Sequence, residues 1–206
     1  PAAMIASLNF LLAFFFSFFG SIPPGTINLT CVQLGLEKKT GIAWRFALTG
    51  SDMEYPYGWI AVEFAEWITS SPVIVDNMQL ITAIVMTVIG ILTLWTPSKP
   101  TKFTTKFTEN GYLRGIVLSL LNPLAIPFWV GVTAYLNSLH WIDLSTPLGL
   151  HSYLVGVCLG TLALLIILVY LAKRIGMQFT QNRWISRIPG IALIVLGIYA
   201  FLQYLL

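Results

Sequence analysis

Six stretches of this sequence stay apolar for longer than a soluble element needs: about 4–36, 42–67, 72–95, 111–138, 152–172 and 188–206. A helix rises about 1.5 Å per residue, so roughly 20 apolar residues cross the hydrocarbon of a bilayer. Inside lipid each backbone polar group has to be satisfied within its own segment or a closed barrel. Runs of this length therefore read as membrane helices. Composition agrees, with hydrophobic residues at 57% and charged residues at 9%, against about a quarter charged in soluble domains. The mean hydropathy is +0.82. The expected fold is an all-α integral membrane protein with six transmembrane helices and no separate soluble domain. No Lys or Arg precedes Phe10, so the opening lacks the basic region of a secretory signal peptide.

Two of the six runs carry proline breaks. The first reads Ile22-Pro23-Pro24-Gly25-Thr26-Ile27-Asn28 and the second Leu121-Asn122-Pro123-Leu124-Ala125-Ile126-Pro127. Proline removes a backbone donor and clashes with the carbonyl one turn back. In a bilayer the freed carbonyls persist only where they face protein or a wet cavity. Helices 1 and 4 are therefore expected to be broken at Pro24 and Pro123. Breaks at corresponding places in two halves are the sequence mark of a transporter's binding site.

Charge orients the runs. All 11 Lys and Arg fall between an odd run and the next even one. Lys38, Lys39 and Arg45 follow the first run; Lys99, Lys102, Lys106 and Arg114 the third; Lys173, Arg174, Arg183 and Arg187 the fifth. The other connections carry Glu63, Glu66, Asp76 and Asp143, with His140 and His151. By the positive-inside rule the basic face is cytoplasmic and both termini lie outside. Topology accounts for the net charge of +3, and with no further basic patch a nucleic-acid partner is excluded.

Three crossings per half make the second half enter upside down, the plan of inverted-repeat transporters. The expected division is a first three-helix repeat over 1–98, a cytoplasmic linker over 99–110 and a second, inverted repeat over 111–206. Pro24 and Pro123 are 99 positions apart, and Gly90 and Gly197, in matching apolar contexts, 107. Gly156 and Gly160 form a G-x-x-x-G in the fifth run. Small residues there suit close packing inside the bundle or a homodimer face.

Asp52 and Glu54 lie near the middle of the second run. An ionisable group at that depth is costly and marks a functional site. Two positions apart on a helix is about 200°, so the two cannot face the same way. Pro56 is placed to bend that helix. Asn28, Asn122 and Thr26 flank the breaks and offer side chains that cap a half-helix or bind a polar solute. Half-helix ends add partial charges of both signs, which suits a zwitterion. Among the aromatic residues Trp129 is the one assigned to the site. Trp67, Trp95, Trp141 and Trp184 read as an interface belt. Cys31 and Cys158 sit in apolar runs as packing residues and occupy non-equivalent places, which argues against a thiol relay. No catalytic motif, phosphate-binding loop or metal-ligand spacing appears, so neither an enzyme nor a cofactor is expected.

Pro24-Gly25-Thr26-Ile27-Asn28, Gly50-Ser51-Asp52 and Asn122-Pro123-Leu124-Ala125 together resemble the signatures of the lysine-exporter (LysE) family, including its homoserine/threonine branch. Those signatures are Pro-Gly-Pro-x-Asn, a glycine-rich stretch ending in Gly-Asp, and Asn-Pro-Lys-Ala. This chain departs from them at Thr26, Ser51 and Leu124. The resemblance implies an exporter of amino acids or related small solutes in a bacterial or archaeal cytoplasmic membrane, driven by proton antiport. It gives Pro24, Gly25, Asn28, Asn122 and Pro123 a substrate role and Asp52 a proton-coupling role. Glu54 joins Asp52 on depth alone. The departures bear on which solute is carried. The alternative is a carrier of divalent metal or another cation on the same fold, with Asp52, Glu54, Asn28 and Asn122 as oxygen ligands.

Overall fold

The computed structural model describes residues 2–22, 25–70, 110–120, 122, 125–175 and 188–205, with scattered positions between 72 and 94. Pro24 and Pro123, most of the linker, and Lys99, Lys102, Lys106, Arg183 and Arg187 lie outside the described residues.

The first run forms α1 (Ala2–Gly20) and α2 (Thr26–Leu36), parted at the proline pair. Gly25 caps α2 in an extended conformation, and its carbonyl accepts the Leu29 N–H at 3.0 Å. The second run is also broken, into α3 (Thr40–Asp52) and α4 (Glu54–Ser70). Pro56 lies in the first turn of α4 and has no N–H for the Asp52 carbonyl four positions back, so the ladder fails there. The fourth run gives α5 (Gly111–Leu120) and α6 (Ala125–Ser138), whose axes meet at 68°. The fifth is one unbroken helix, α7 (Pro147–Ile175), and the sixth is α8 (Ile188–Leu205). Thr146 caps α7 by accepting the Gly149 N–H at 3.1 Å, and Pro147 takes the first helical position, where its missing donor costs nothing. His151 is thereby a helical residue and not a loop residue.

All described elements are helical. α1 and α7 are each long and apolar enough to span a bilayer, and α5 with α6 make a third span if the bent pair is one crossing. Their outward faces are apolar, as Leu8, Leu11, Phe15 and Phe19 on α1 illustrate. Such a continuous apolar exterior fits lipid and not water.

α1 runs along α7. Gly156 and Gly160 lie against the Phe10 and Phe14 carbonyls and the side chains of Ala13 and Ser17. The G-x-x-x-G is thus filled from within the chain. Polar locks pin the same seam. Ser17 Oγ donates to the Val157 carbonyl at 2.5 Å and shares a bond with Thr161 at 2.8 Å. The fully buried Asn9 amide donates to the carbonyls of Asp143 (2.7 Å) and Gly149 (3.2 Å). α5 lies on α3, where Gly111 and Gly115 meet the backbone of Ile42 and Phe46. α2 rests on α7, and α4 on α6. Gly197 of α8 faces Ala83 and Thr87 of the third run.

The described basic residues gather at one end. Gly35 at the end of α2 touches Val169 and Ala172, next to Lys173 and Arg174, and Arg45 lies 5.8 Å over the Tyr112 ring. Arg45 and Arg114, counted between runs in the sequence, belong to α3 and α5, and Arg114 differs from the other described basic residues in being only 1% exposed.

Candidate functional site between the helix breaks

The residues beside the breaks converge at Gly50 of α3. A side chain there would touch Ile27 of α2, Leu165 of α7 and Ser119 of α5 at 3.7–3.8 Å. Ile27 precedes Asn28, and Ser119 lies one turn before Asn122, so both breaks border one place.

Each break is held by polar groups. Asn28 is buried, and its Nδ2 donates to the Ser21 carbonyl at 2.5 Å, across the first gap. One amide hydrogen therefore satisfies a carbonyl that the break would orphan. Gly25 and Thr26 are exposed, with open space where a Cβ on Gly25 would point. Asn122 is half-buried, and its N–H donates to the Ser119 carbonyl at 2.9 Å.

α4 clamps the second break from both sides. Its buried stripe contains Glu54, Tyr57 and Ala61, spaced three and four apart on one face. The Tyr57 hydroxyl donates to the Ser119 carbonyl at 2.9 Å, on the α5 side. Trp129 Nε1 donates to Glu54 Oε2 at 2.6 Å, on the α6 side. Trp129 is 1% exposed and meets Tyr153 edge to face at 6.5 Å, and Tyr153 shares a 2.9 Å bond with Thr133. The Glu54 carboxyl thus sits in an aromatic, apolar setting and accepts an indole N–H.

The break at Met53 sorts the two carboxyls. Glu54 is 8% exposed and faces inward, whereas Asp52 is exposed. Beside Glu54, Tyr55 turns outward, shares a 2.6 Å bond with His151 Nδ1 and stacks on that ring. Sequence reasoning placed Glu54 and Trp129 near the site but did not pair them, since they are 75 residues apart. Ser119 was missed, and Tyr57 was set aside among the aromatic residues in favour of Trp129. The signal for Tyr57 was its i+3 spacing from Glu54.

Among the described residues no three His, Cys, Asp or Glu side chains come together as a metal-ligand set. Cys31 and Cys158 are free thiols.

A helical bundle with apolar flanks, broken spans and a buried carboxyl at the breaks defines a membrane transporter. Residues 18–204 match the sequence model of the LysE type translocator family, and the chain belongs to that family. No curated protein and no solved structure gives a significant match. Membership makes the chain a multi-pass membrane transporter of amino acids or related solutes, and not an enzyme.

Proposed function

We propose that this protein is a secondary transporter that exports amino acids or related small polar solutes from the cytoplasm by proton antiport. The observation that carries this reading is Glu54, a buried carboxyl bonded to Trp129 across the second break. A carboxyl in that setting exchanges a proton when its surroundings change from apolar to wet. Asp52, exposed at the same kink, is the group through which protons reach it. Asn28, Asn122 and Thr26, with Pro24, Gly25 and Pro123, supply the solute contacts at the broken ends.

Alternating access needs two bundles that rock against each other, and here the paired helices come from opposite repeats. The helix pairing supports six crossings in two inverted repeats. Exchanging the first run for the fourth and the second for the fifth turns the α1–α7 pair into α5–α3, and α2–α7 into α6–α4; all four pairs occur. The two helices that follow the breaks also end alike. Lys38 and His140 both have φ 56°, and the next N–H returns five residues, from Lys39 to Leu34 and from Trp141 to Leu136. This C-terminal motif usually employs glycine. Its recurrence 102 positions apart fits the offset of the prolines. The clustered basic end is the cytoplasmic one, in the cytoplasmic membrane of a bacterium or archaeon, with both termini outside.

The test is export from proteoliposomes loaded with a mixture of radiolabelled amino acids under an imposed pH gradient. Glu54→Gln should abolish proton-driven flux yet leave solute–solute exchange in place. Proton-driven flux at the wild-type rate in that variant would sink the antiport reading.

A further inference from the structure

Arg114 is a buried side chain that the Glu54 site does not use, and the one with unpartnered buried side-chain atoms among the described residues. It is 1% exposed, and its Nε and Nη1 have no hydrogen-bond partner among the described residues. An arginine remains charged, and a buried charge without partners is strongly unfavourable. Cys31 of α2 shares a buried cluster with Leu118, one turn on from Arg114, and Glu37 closes the same helix α2. Cys31 is a fully buried thiol, and Glu37 is already engaged by Lys39 and Gln33, each at 2.8 Å. Among the described residues no anion is bonded to Nε or Nη1 of the guanidinium. Nε and Nη1 each belong to one of the two edges with which guanidinium grips a carboxylate.

Its place in the fold indicates when an anion would reach it. Arg114 projects from the buried face of α5 that continues through Leu118 and Ser119 towards Asn122. Six residues of helix separate it from Leu120, where α5 ends before the second break, about 9 Å towards the basic end. Cys31 belongs to α2. α2 is carried by α7 and α5 by α3, so parting those two layers opens the seam in which the guanidinium lies. A lipid headgroup has no access to a side chain so deeply covered, whereas a small solute moving from the basic end to the breaks passes it.

We propose that Arg114 binds the carboxylate of the transported solute on its way from the basic end of the bundle to the helix breaks. This rests on the amino-acid reading above. It requires that the solute carry a free carboxylate, and that amines or sugars without one be poor ligands.

Thermal unfolding of the purified protein in detergent tests it, with L-leucine, L-threonine, L-lysine and the carboxamide of each as probes. At least one acid should raise the wild-type melting temperature, and its carboxamide should not. Arg114→Met should melt at or above the wild type without solute and lose the response to the acid. Arg114→Lys, which keeps the charge but not the planar fork, should show a reduced response. An acid that stabilises Arg114→Met as much as the wild type overturns the assignment and leaves the amino-acid reading intact. Should Arg114→Met not fold, equal stabilisation of the wild type by acid and carboxamide overturns it in the same way. A wild type that none of the three acids stabilises overturns the amino-acid reading and this assignment with it.

Discussion

Two carboxyls two positions apart have opposite fates because one proline interrupts their helix. Asp52 closes α3 and stays exposed; Glu54 opens α4 and turns inward to Trp129. The indole N–H is then the group that makes a buried carboxyl tolerable. Trp129→Phe keeps most of the apolar area and deletes that donor. Hydrogen bonds to charged groups contribute about 1.5–3 kcal/mol, so this variant should melt at a lower temperature than the wild type, read by thermal unfolding in detergent. The same change in Glu54→Gln should largely cancel it, because a neutral amide suffers less from losing the donor. Equal losses from Trp129→Phe in both backgrounds would deny the coupling. The candidates Asp52, Glu54, Asn28 and Asn122 were legible in the sequence because polar groups are conspicuous in apolar runs. Which carboxyl faces inward was not legible, because it depends on the phase of α4 after the kink. The Glu54–Trp129 bond is tertiary and leaves no local trace.

Among the elements, the two proline breaks announce themselves, and a third was hinted at by Pro56. The start of α7 was also readable: Thr146-Pro147 is a cap followed by a first-turn proline, ahead of the apolar run beginning near 152. Hydropathy alone hid that start, and with it the helical setting of His151. Pro56→Ala restores a donor to the Asp52 carbonyl and should straighten the second span. Helix propensity favours alanine, so the melting temperature should hold or rise, while proton-driven transport falls because Glu54 leaves the phase that meets Trp129. Undiminished transport with a straightened helix would show that the kink is dispensable. The G-x-x-x-G invited two readings, and the seam with α1 answers in favour of internal packing. Gly160→Leu forces a branched side chain against the Phe14 carbonyl. Overpacking of this kind costs about 1–3 kcal/mol. Gly131→Ala is the control, since open space surrounds that position. A drop in melting temperature for Gly160→Leu and none for Gly131→Ala is expected.

For the whole molecule, the sorting of charge and the pairing of helices address one question, which end faces the cytoplasm. Lys38, Lys39, Lys173 and Arg174 cluster where α2, α3 and α7 meet, while Asn9, Asp143 and Gly149 are bonded together at the other end. Arg114 departs from the sorting because a buried arginine on α5 serves the bundle interior and not the interface. A bilayer treats the remaining Lys and Arg as a barrier to translocation, which is the argument for the proposed cytoplasmic placement of the basic end. Single cysteines in a Cys31→Ser, Cys158→Ser background test this directly. Gly41→Cys occupies an exposed position with open space at the basic end, and Ser145→Cys an exposed turn at the other. A membrane-impermeant maleimide applied to intact cells should label the Ser145→Cys protein and spare the Gly41→Cys protein until the membrane is permeabilised. The reverse pattern would invert the molecule. Arg114 would then lie on the outer side of the breaks and could not meet a solute coming from the cytoplasm before it reaches them, although the proton gradient would still set the direction of exchange. Orientation and the role of the buried arginine therefore depend on one another.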